Sequence, residues 1–282
     1  MTSGSDLLNT ALEAAEAAAG VHKDFCGHVL AEDAIEKGTS DFVSHVDLKA
    51  QDAALGVIQR RFPTHRVLSE EEHPGGGRAG PADSNMPLWI VDPLDGTTNF
   101  LHGHPAYAAS VGVVIRGEVV AGAVVASATR ERWWAARGQG AFRNGELIHV
   151  SQIRKLRLAL IGTGFPFKQI ADLPSYLREV ERVLPACSGI RRGGSAALDL
   201  CYLAQGSLDA FWETRLYPWD IAGGLVILSE AGGVARRKEG NPLDIQIAGS
   251  VLAANSPELL ENLSQRLEQM EGDCENRSIP TG

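Results

Sequence analysis

The chain has 282 residues, of which 44% are hydrophobic and 22% are charged, and its formal net charge is −9. This composition excludes a mostly disordered chain and a fibrous one. The acidic balance also provides no electrostatic footprint for direct binding to nucleic acid or to an anionic membrane. Four scattered cysteines without a CxxC pair indicate reduced thiols, and the lack of a long apolar stretch or a signal-peptide pattern predicts a soluble cytoplasmic protein.

Hydrophobic periodicity divides the first half of the chain into helices and strands. Apolar residues at helical spacing predict one helix over 7–19 and a second over 48–62. Short β-rich runs predict strands over 67–68, 88–91, 108–115, 119–126 and 132–136. A loop rich in Gly, Pro, Asp and Ser is predicted over 74–87.

The second half contains the same mixture of elements. Strands are predicted over 158–163, 208–212 and 251–254. Helices are predicted over 175–184, 195–204, 220–231 and 257–270. Because strands and helices come in blocks rather than in a regular βαβ alternation, the sequence predicts an α+β or layered α/β fold.

The strongest functional signal is the segment 89–100, W-I-V-D-P-L-D-G-T-T-N-F. A predicted buried strand ends at Asp92, and Asp95 follows after a tight turn. Two carboxylates placed in this way can converge on one point, and their oxygens are the ligands that Mg²⁺ prefers. The backbone amides of residues 96–98, at the start of a short helix, would hold a phosphate. The segment therefore predicts a metal site beside a phosphate cradle, although a simple capped turn explains a lone D-x-x-D-G-T about as well.

Other carboxylates stand at the ends of predicted apolar elements. These residues are Asp47, Glu70, Glu71, Glu72, Glu213 and Asp220. Taken singly, each has a simpler explanation as an N-cap, as the end of a strand or as part of a solvated loop. Burying a carboxylate is costly unless it is paired or bound to a metal, so metal binding explains the whole set better than separate caps do.

With these residues the chain resembles the inositol monophosphatase family of magnesium-dependent, lithium-sensitive phosphatases. The resemblance spans about residues 7–270, and segments 164–168 and 191–200 look most like the bacterial branch. Its most specific parts are the W-I-V-D-P-L-D-G-T-T-N-F and W-D-I-A-G-G…E-A-G-G segments, in this order and separation. Further matching segments are K-G-T-S-D at 37–41, V-D at 46–47, S-E-E at 69–71 and G-G-S-A-A at 193–197.

The resemblance implies an αβαβα sandwich of the inositol monophosphatase and fructose bisphosphatase type, commonly assembled as a homodimer. We therefore expect one catalytic domain over 1–270. Its N-terminal metal-site half would cover about 1–150 and its C-terminal substrate half about 151–270. The polar tail over 271–282 is expected to be disordered.

The resemblance also implies a cofactor of two or three Mg²⁺ ions. Glu70, Asp92 and the carbonyl of Leu94 would bind the first ion. Asp92, Asp95 and Asp220 would bind the second ion, so that Asp92 bridges the two. The metal site would thus draw on three separate segments of the chain.

The same resemblance implies the catalytic residues and the substrate contacts. Glu70 would position the attacking water or a third metal ion, and Thr97 and Asp47 would form the hydrogen-bonded pair that orients the water. Glu70 is preferred to Glu71 because of its spacing to Asp47 and Asp92, and a shift of one residue stays open. The implied substrate contacts are Asp95, Gly96, Thr97, Thr98, Gly194, Ser195, Ala196, Glu213 and Asp220.

These residues predict a phosphomonoesterase that hydrolyses inositol monophosphates by direct in-line attack of water. Histidinol phosphate, a 3′,5′-bisphosphate nucleotide and fructose bisphosphate stay open as alternative substrates on the same scaffold. A regulatory, transcription-associated interaction role is the alternative from another class, with the basic runs 191–192 and 236–238 as contact patches. A solvated face or a wall facing an anion is the simpler explanation of such runs. The expected partner is a small phosphorylated polyol, without direct nucleic-acid or membrane contact.

Overall fold

The computed structural model describes residues 4–29, 35–38, 41–72, 85–167 and 169–268. Its helices are α1 (Gly4–Phe25), α2 (His45–Arg61), α3 (Thr97–Leu101), α4 (Leu173–Val183), α5 (Ala196–Ala204), α6 (Pro218–Glu230) and α7 (Pro257–Glu268). The strands of its N-terminal half are β1 (Ile35–Gly38), β2 (Asp41–Val43), β3 (Arg66–Ser69), β4 (Leu88–Asp95), β5 (Ala108–Ile115), β6 (Glu118–Ala126), β7 (Glu131–Ala136), β8 (Ala141–Arg143) and β9 (Glu146–Ile148). The strands of its C-terminal half are β10 (Leu160–Thr163), β11 (Gly189–Arg191), β12 (Ala210–Leu216), β13 (Val234–Arg236) and β14 (Gly249–Ala254).

The strands form two large sheets and one small ribbon. Seven strands make a sheet in chain order from β3 to β9, in which β3 and β4 run parallel and the other neighbouring pairs are antiparallel. Five strands make a second sheet in the order β11-β10-β12-β14-β13, with β10 parallel to β11 and β12 and the remaining pairs antiparallel. β1 and β2 pair with each other as an antiparallel ribbon.

Helices and sheets alternate in five layers. α1 and α2 pack on one face of the seven-stranded sheet, and α5 and α6 fill the space between the two sheets. α4 and α7 cover the outer face of the five-stranded sheet. The strand alternation explains this arrangement, because Trp89 and Val91 of β4 pack toward α1 and α2, whereas Leu88 and Ile90 pack toward α5 and α6. The αβαβα sandwich expected from the sequence is confirmed.

Glycines allow α6 to lie close against the seven-stranded sheet. A Cβ atom at Gly112 of β5 would lie 2.6 Å from the Cβ of Ala222 in α6. A Cβ atom at Gly223 of α6 would lie 2.7 Å from the Oγ of Ser110 in β5. Neither position has room for a side chain, so the helix and the sheet approach each other through bare backbone. This close packing brings Asp220, in the first turn of α6, toward the end of β4.

Four helices, α1, α2, α4 and α6, begin two or three residues earlier than the sequence pattern predicts, and two of them contain predicted site carboxylates. α2 begins at His45 because Ser44 caps it and the carboxylate of Asp47 closes a capping box. Asp47 is therefore the third residue of its helix and not the N-cap. α6 likewise begins at Pro218, which makes Asp220 the third residue of that helix rather than its cap.

Two strands continue well past their predicted ends, and several short strands have no sequence signal. β4 continues past residue 91 to Asp95, and β12 continues to Leu216, so Glu213 lies inside the strand rather than at its end. The strands β8, β9, β11 and β13 have three residues each, which is too short for the two-residue alternation to be recognised.

Some expectations concern residues outside the described ranges, namely the disordered tail over 271–282 and most of the loop over 74–87. Cys26, Cys187 and Cys201 are free cysteines that form no disulfide with one another. Within the described ranges, no helix combines the length and the apolar character that crossing a membrane would require.

Candidate metal and phosphate site

Two carboxylates at the end of β4 turn toward the same point. Asp92 pairs with Ser110 of β5 and Asp95 pairs with Ala108, so three steps along β4 match two steps along β5. Residues three apart in a regular strand point to opposite faces, and the extra residue of this bulge brings both carboxylates together. The sequence favours the bulge because Pro93 has no backbone N–H to give to the ladder.

Asp220 of α6 completes an acidic cluster with this pair. One carboxylate oxygen from each of Asp92, Asp95 and Asp220 lies within 4.8 Å of the other two. Burial raises the pKa of Asp92 well above its usual range, and the negative charges of Glu70, Asp95 and Asp220 raise it further. A set of carboxylate oxygens that repel one another in a buried place is the donor set that a hard divalent cation prefers, so these residues fit a metal site.

Neutral donors fix the direction of the three carboxylates. The Oγ of Ser195 donates to Asp95 Oδ2 at 2.5 Å, and the backbone N–H of Ala197 donates to the same oxygen at 2.8 Å. The other two carboxylates each accept a backbone N–H from their own turn, at 3.0 and 2.6 Å. These donors hold the geometry of the cluster without cancelling its negative charge.

A hydroxyl relay, by which we mean the hydrogen-bonded pair of Thr97 and Asp47, lies beside the cluster. The Oγ1 of Thr97 lies 2.8 Å from Asp47 Oδ1 and 3.0 Å from the carbonyl oxygen of Leu94. Asp47 Oδ2 accepts hydrogen bonds from both the N–H and the hydroxyl of Ser44, at 2.8 and 2.7 Å. Asp47 is also buried. The hydrogen bonds from Ser44 at the start of α2 therefore fix the carboxylate of Asp47, which accepts a hydrogen bond from the hydroxyl of Thr97.

The predicted site residues line one cleft, whose cavity has a volume of about 180 Å³. The predicted residues that line it are Glu70, Asp92, Leu94, Asp95, Gly96, Thr97, Thr98, Gly194, Ser195, Ala196, Glu213 and Asp220. Asp47 reaches the cleft through its contact with Thr97. Glu70 lines the cleft and Glu71 does not. All residues that the sequence assigns to the site thus meet in one region of the fold.

Two glycines bring α3 and the start of α5 together at this cleft. Gly96 and Gly194 have positive φ values of 91° and 86°. A Cβ atom at Gly96 would lie 2.8 Å from the carbonyl oxygen of Ala106 and 3.3 Å from that of Gly194. The Nδ2 of Asn99 donates to the carbonyl oxygens of Gly193 and Ala106, at 3.0 and 2.6 Å. Other residues at the two glycine positions would strain the backbone and push the segments apart.

His22 supports the bulged end of β4 at Pro93, and the sequence offers no sign of this contact beyond a lone histidine on the apolar face of α1. It is completely buried, and its Nε2–H donates to the carbonyl oxygen of Pro93 at 2.7 Å. Burial lowers the pKa of His22 to about 4, so the imidazole is neutral near pH 7. The histidine thereby fixes the peptide group between Pro93 and Leu94.

Further residues line the cleft without having been predicted as site residues. They are Gly164, Phe165, Pro166, Phe167, Gln169, Arg192, Thr214, Arg215, Leu216 and Tyr217. Arg192 belongs to the basic run at 191–192, which the sequence explains either as a contact patch or as a wall facing an anion. Its place in the cleft agrees with the second explanation.

The side chains of the basic run at 236–238 make hydrogen bonds and ion pairs within the protein. Arg237 is buried and donates to three backbone carbonyl oxygens. Arg236 pairs with Glu261, and Lys238 pairs with the buried Glu179. The expectation that this run is a contact patch or a solvated face is wrong for Arg237, whose guanidinium braces a loop.

Comparison with known sequences agrees with the site. Residues 4–271 match the model of the inositol monophosphatase family. The chain is 41% identical to an inositol-1-monophosphatase from Mesorhizobium japonicum, over 89% of this chain and 92% of that protein. It is 39% identical to a Nus factor SuhB from Pseudomonas aeruginosa, over 78% of this chain and 81% of that protein.

Solved structures lead to the same assignment. The extragenic suppressor protein suhB from Bartonella henselae superposes with a TM-score of 0.84 at 36% identity, over 94% of this chain and 99% of that one. An inositol monophosphatase from Anabaena superposes with a TM-score of 0.81 at 35% identity, over 93% of this chain and 95% of that one. With its sequence match, its fold and its acidic cluster in agreement, the chain belongs to the inositol monophosphatase family of metal-dependent phosphatases that act on small phosphorylated substrates.

Proposed function

We propose that the protein is a Mg²⁺-dependent phosphomonoesterase that hydrolyses inositol monophosphates of the myo-inositol 1-phosphate type. The observation that carries this proposal is the convergence of carboxylate oxygens from Asp92, Asp95 and Asp220 within 4.8 Å of one another. They meet in a cleft that also contains the hydroxyl relay through Thr97. This combination suits a displacement at phosphorus, in which positioning and charge stabilisation matter more than covalent chemistry.

The carboxylates provide ligands for two ions. Glu70, Asp92 and the carbonyl oxygen of Leu94 would hold one ion, and Asp95, Asp220 and the shared Asp92 would hold the other. When bound, such ions activate a water near neutral pH and stabilise the charge on the leaving oxygen. The neutral donors around the carboxylates keep their oxygens in place before an ion arrives.

Thr97 and Asp47 would orient the attacking water. The hydroxyl of Thr97 has one proton, and both Asp47 and the carbonyl of Leu94 can only accept it. The lone pairs of the Thr97 oxygen are therefore available to accept a hydrogen bond from a water beside the cluster. Glu70, from the segment after β3, would hold that water from the other side.

The remaining cleft residues would divide between the phosphate and the alcohol. The backbone amides of Gly96 and Thr97, with Thr98 beside them, would hold phosphate oxygens. Residues 194–196 and Glu213 would contact the alcohol part of the substrate, together with Asp95 and Asp220. A carboxylate such as that of Glu213 accepts hydrogen bonds from hydroxyl groups, which suits a polyol.

A panel of phosphate esters tests this proposal. Phosphate release is measured with Mg²⁺ and with a chelator for inositol 1-phosphate, histidinol phosphate, a 3′,5′-bisphosphate nucleotide and fructose 1,6-bisphosphate. We expect Mg²⁺-dependent turnover that is fastest on inositol 1-phosphate. Faster turnover of another ester would contradict the substrate assignment and leave the metal chemistry in place, whereas no turnover of any ester would contradict the whole proposal.

A regulatory role in transcription is a second candidate, and one observation favours it. The relative from Pseudomonas aeruginosa that is 39% identical is named a Nus factor. The discriminating experiment is a pull-down of purified transcription elongation factors with the native protein and with Asp92→Asn. Specific capture that survives the substitution would support a role independent of catalysis, and no capture by either protein would exclude those factors as partners.

A further inference from the structure

A second groove lies away from the cleft, between α7 and two one-turn 3₁₀ helices, Leu156–Leu158 and Leu184–Ala186. It has a volume of about 520 Å³, which is within the range that accommodates a small organic molecule. None of the residues that line it also lines the cleft. The groove is therefore a separate place on the protein surface, and the proposed phosphatase reaction gives it no role.

This groove is positively charged. Lys155 and Arg157 line it from one side, and Arg266 lines it from α7. Within the described part of the chain, no aspartate or glutamate lines it. The whole chain, in contrast, has 35 acidic and 26 basic residues, so its composition does not favour a groove with three cations and no carboxylate. Such a local surplus of positive charge attracts an anionic ligand.

The two cations on the first side of the groove have no counter-charge. Elsewhere in the protein, several arginines pair with a glutamate. These arginines are Arg61, Arg132, Arg137, Arg143 and Arg236. Lys155 and Arg157 are both exposed, and among the residues that the structure describes their side chains make no ion pair and no hydrogen bond. Their N–H groups are therefore available to a phosphate or another anionic group.

Polar residues of α7 form the other side of the groove. Asn262, Gln265 and Arg266 are three and four residues apart, so they share one face of the helix. Glu261 precedes Asn262, but its carboxylate accepts a hydrogen bond from Gln265 at 3.2 Å and pairs with Arg236. The charge of Glu261 is therefore compensated by an arginine that does not line the groove.

The groove and the cleft lie at opposite ends of the same two strands. β10 and β11 are parallel neighbours, and the 3₁₀ helices Leu156–Leu158 and Leu184–Ala186 precede their amino-terminal ends. Residues of the cleft follow their carboxyl-terminal ends, within the segments 164–167 and 192–196. A strand with the four residues of β10 is about 13 Å long. A ligand in the groove and a substrate in the cleft would therefore not compete for space.

We propose that this groove binds a small soluble molecule with two or more phosphate charges. Its phosphates would contact Lys155 and Arg157 on one side and Arg266 on the other. Its organic part would pack against Leu156 and Pro185, the apolar residues that line the groove between these charges. Binding is non-covalent and involves no chemical step, so the proposal does not depend on the phosphatase reaction.

Binding of adenosine diphosphate to the full chain, measured by isothermal titration calorimetry in the presence of a chelator, provides the test. Without metal ions, the carboxylates of the cleft repel a phosphate, which leaves the groove as the place for it. We expect one saturable site in the native protein and about tenfold weaker binding in Arg157→Gln, the size of one charge-assisted contact at a partly solvated site. Adenosine, which has no phosphate, should bind at least about tenfold more weakly than the diphosphate.

Two control variants locate the site. Arg178→Gln removes the same charge from an exposed position of α4 that lines neither the groove nor the cleft, so its affinity should equal that of the native protein. Arg192→Gln removes a cation of the cleft and should also keep the native affinity. Urea unfolding of Arg157→Gln should match that of the native protein, which excludes a general loss of structure as the cause of weaker binding.

Ionic strength is a further readout. Added salt should weaken binding more in the native protein than in Arg157→Gln, because the variant has one charge fewer to screen. Absence of saturable binding to the native protein, or equal weakening in Arg157→Gln and Arg178→Gln, would overturn the proposal. Loss of binding in Arg192→Gln with native affinity in Arg157→Gln would place the diphosphate in the cleft and overturn it as well.

Discussion

The electrostatic cost of bringing the carboxylates together falls mainly on Asp92. Its carboxylate is buried, and the charges of Glu70, Asp95 and Asp220 all act on it in the direction that raises its pKa. Such a cluster is unfavourable in the protein alone and becomes favourable when the carboxylates share a cation. The residue that matters most for metal binding is therefore expected to reduce the stability of the metal-free protein.

Asp92→Asn tests whether the residue that binds the metal also lowers the stability of the metal-free protein. The substitution removes a shared ligand, so we expect at least a hundredfold loss of phosphatase activity, on the order of what a lost metal ligand costs. The metal-free variant should unfold with a free energy about 1 kcal/mol higher than the native protein, because one of the repelling charges is gone. Steady-state kinetics and urea unfolding measure the two effects. Asp52→Asn, at an exposed position of α2, is the control that changes neither, and near-native turnover of Asp92→Asn would sink the assignment.

His22 links the stability of the bulged end of β4 to pH. Burial lowers its pKa to about 4, whereas in the unfolded chain its pKa is near the ordinary histidine value of 6.5. Between these values the unfolded chain binds a proton that the folded protein does not, so stability falls as the pH falls through this window. The stabilisation of the folded state by neutral His22 is complete above the upper value and lost near the lower one.

We expect metal-free protein to lose about 2 kcal/mol of unfolding free energy between pH 7 and pH 5 through His22. In His22→Gln the difference between these two pH values should be smaller by that amount. Urea unfolding at both pH values measures it, with the exposed His104→Gln as the control that keeps the native pH dependence. Equal pH dependence in the native protein and His22→Gln would show that the imidazole is not held neutral.

At the scale of secondary-structure elements, the contact of α6 with the seven-stranded sheet sets the position of Asp220. Gly223 and Gly112 remove the side chains that would otherwise separate helix and sheet. The site therefore depends on glycines that have no functional groups and do not belong to the carboxylate cluster.

Gly223→Ala should push α6 outward. Its added Cβ would lie 2.7 Å from Ser110 Oγ, and we expect a loss of about 1–3 kcal/mol in unfolding free energy, as for other overpacked interiors. Apparent Mg²⁺ affinity should fall with it. Gly56→Ala is the matched control, because the nearest atom to its Cβ is the end of the Arg60 side chain at 3.6 Å. In that helix alanine should raise stability by about 0.5–1 kcal/mol. A Gly223→Ala variant as stable as the native protein would contradict the close packing.

Elements that carry their own local pattern can be predicted from the sequence. The bulged end of β4 and the start of α3 lie within one contiguous segment, so Asp92, Asp95 and Gly96 are recognisable without any long-range information. The three-residue strands are extended because they pair with neighbouring strands of the sheet, and their sequences contain no alternation to detect. The starts of α2 and α6 shift because capping by residues outside the apolar pattern decides where a helix begins.

At the scale of the whole molecule, the layered fold joins segments that are far apart in the chain. The carboxylates come from β4 and α6, the hydrogen-bonded pair Asp47 and Thr97 comes from α2 and α3, and the residues proposed to contact the alcohol come from the start of α5 and from β12. Motif order and separation therefore predict the membership of the site. They do not predict His22, which meets Pro93 across 71 residues, or the stacking of Arg192 on Phe165 and Phe167, because neither contact has a local signature.

In the proposed function, phosphate-ester hydrolysis depends on a divalent cation that the acidic cluster holds. The most direct test is phosphate release from inositol 1-phosphate by chelator-stripped enzyme during a titration with Mg²⁺. We predict no turnover without the ion and a saturable rise as it is added, because the carboxylates must be occupied before water and phosphate are positioned. Equal turnover by the stripped and the Mg²⁺-loaded enzyme would contradict this dependence on the cation.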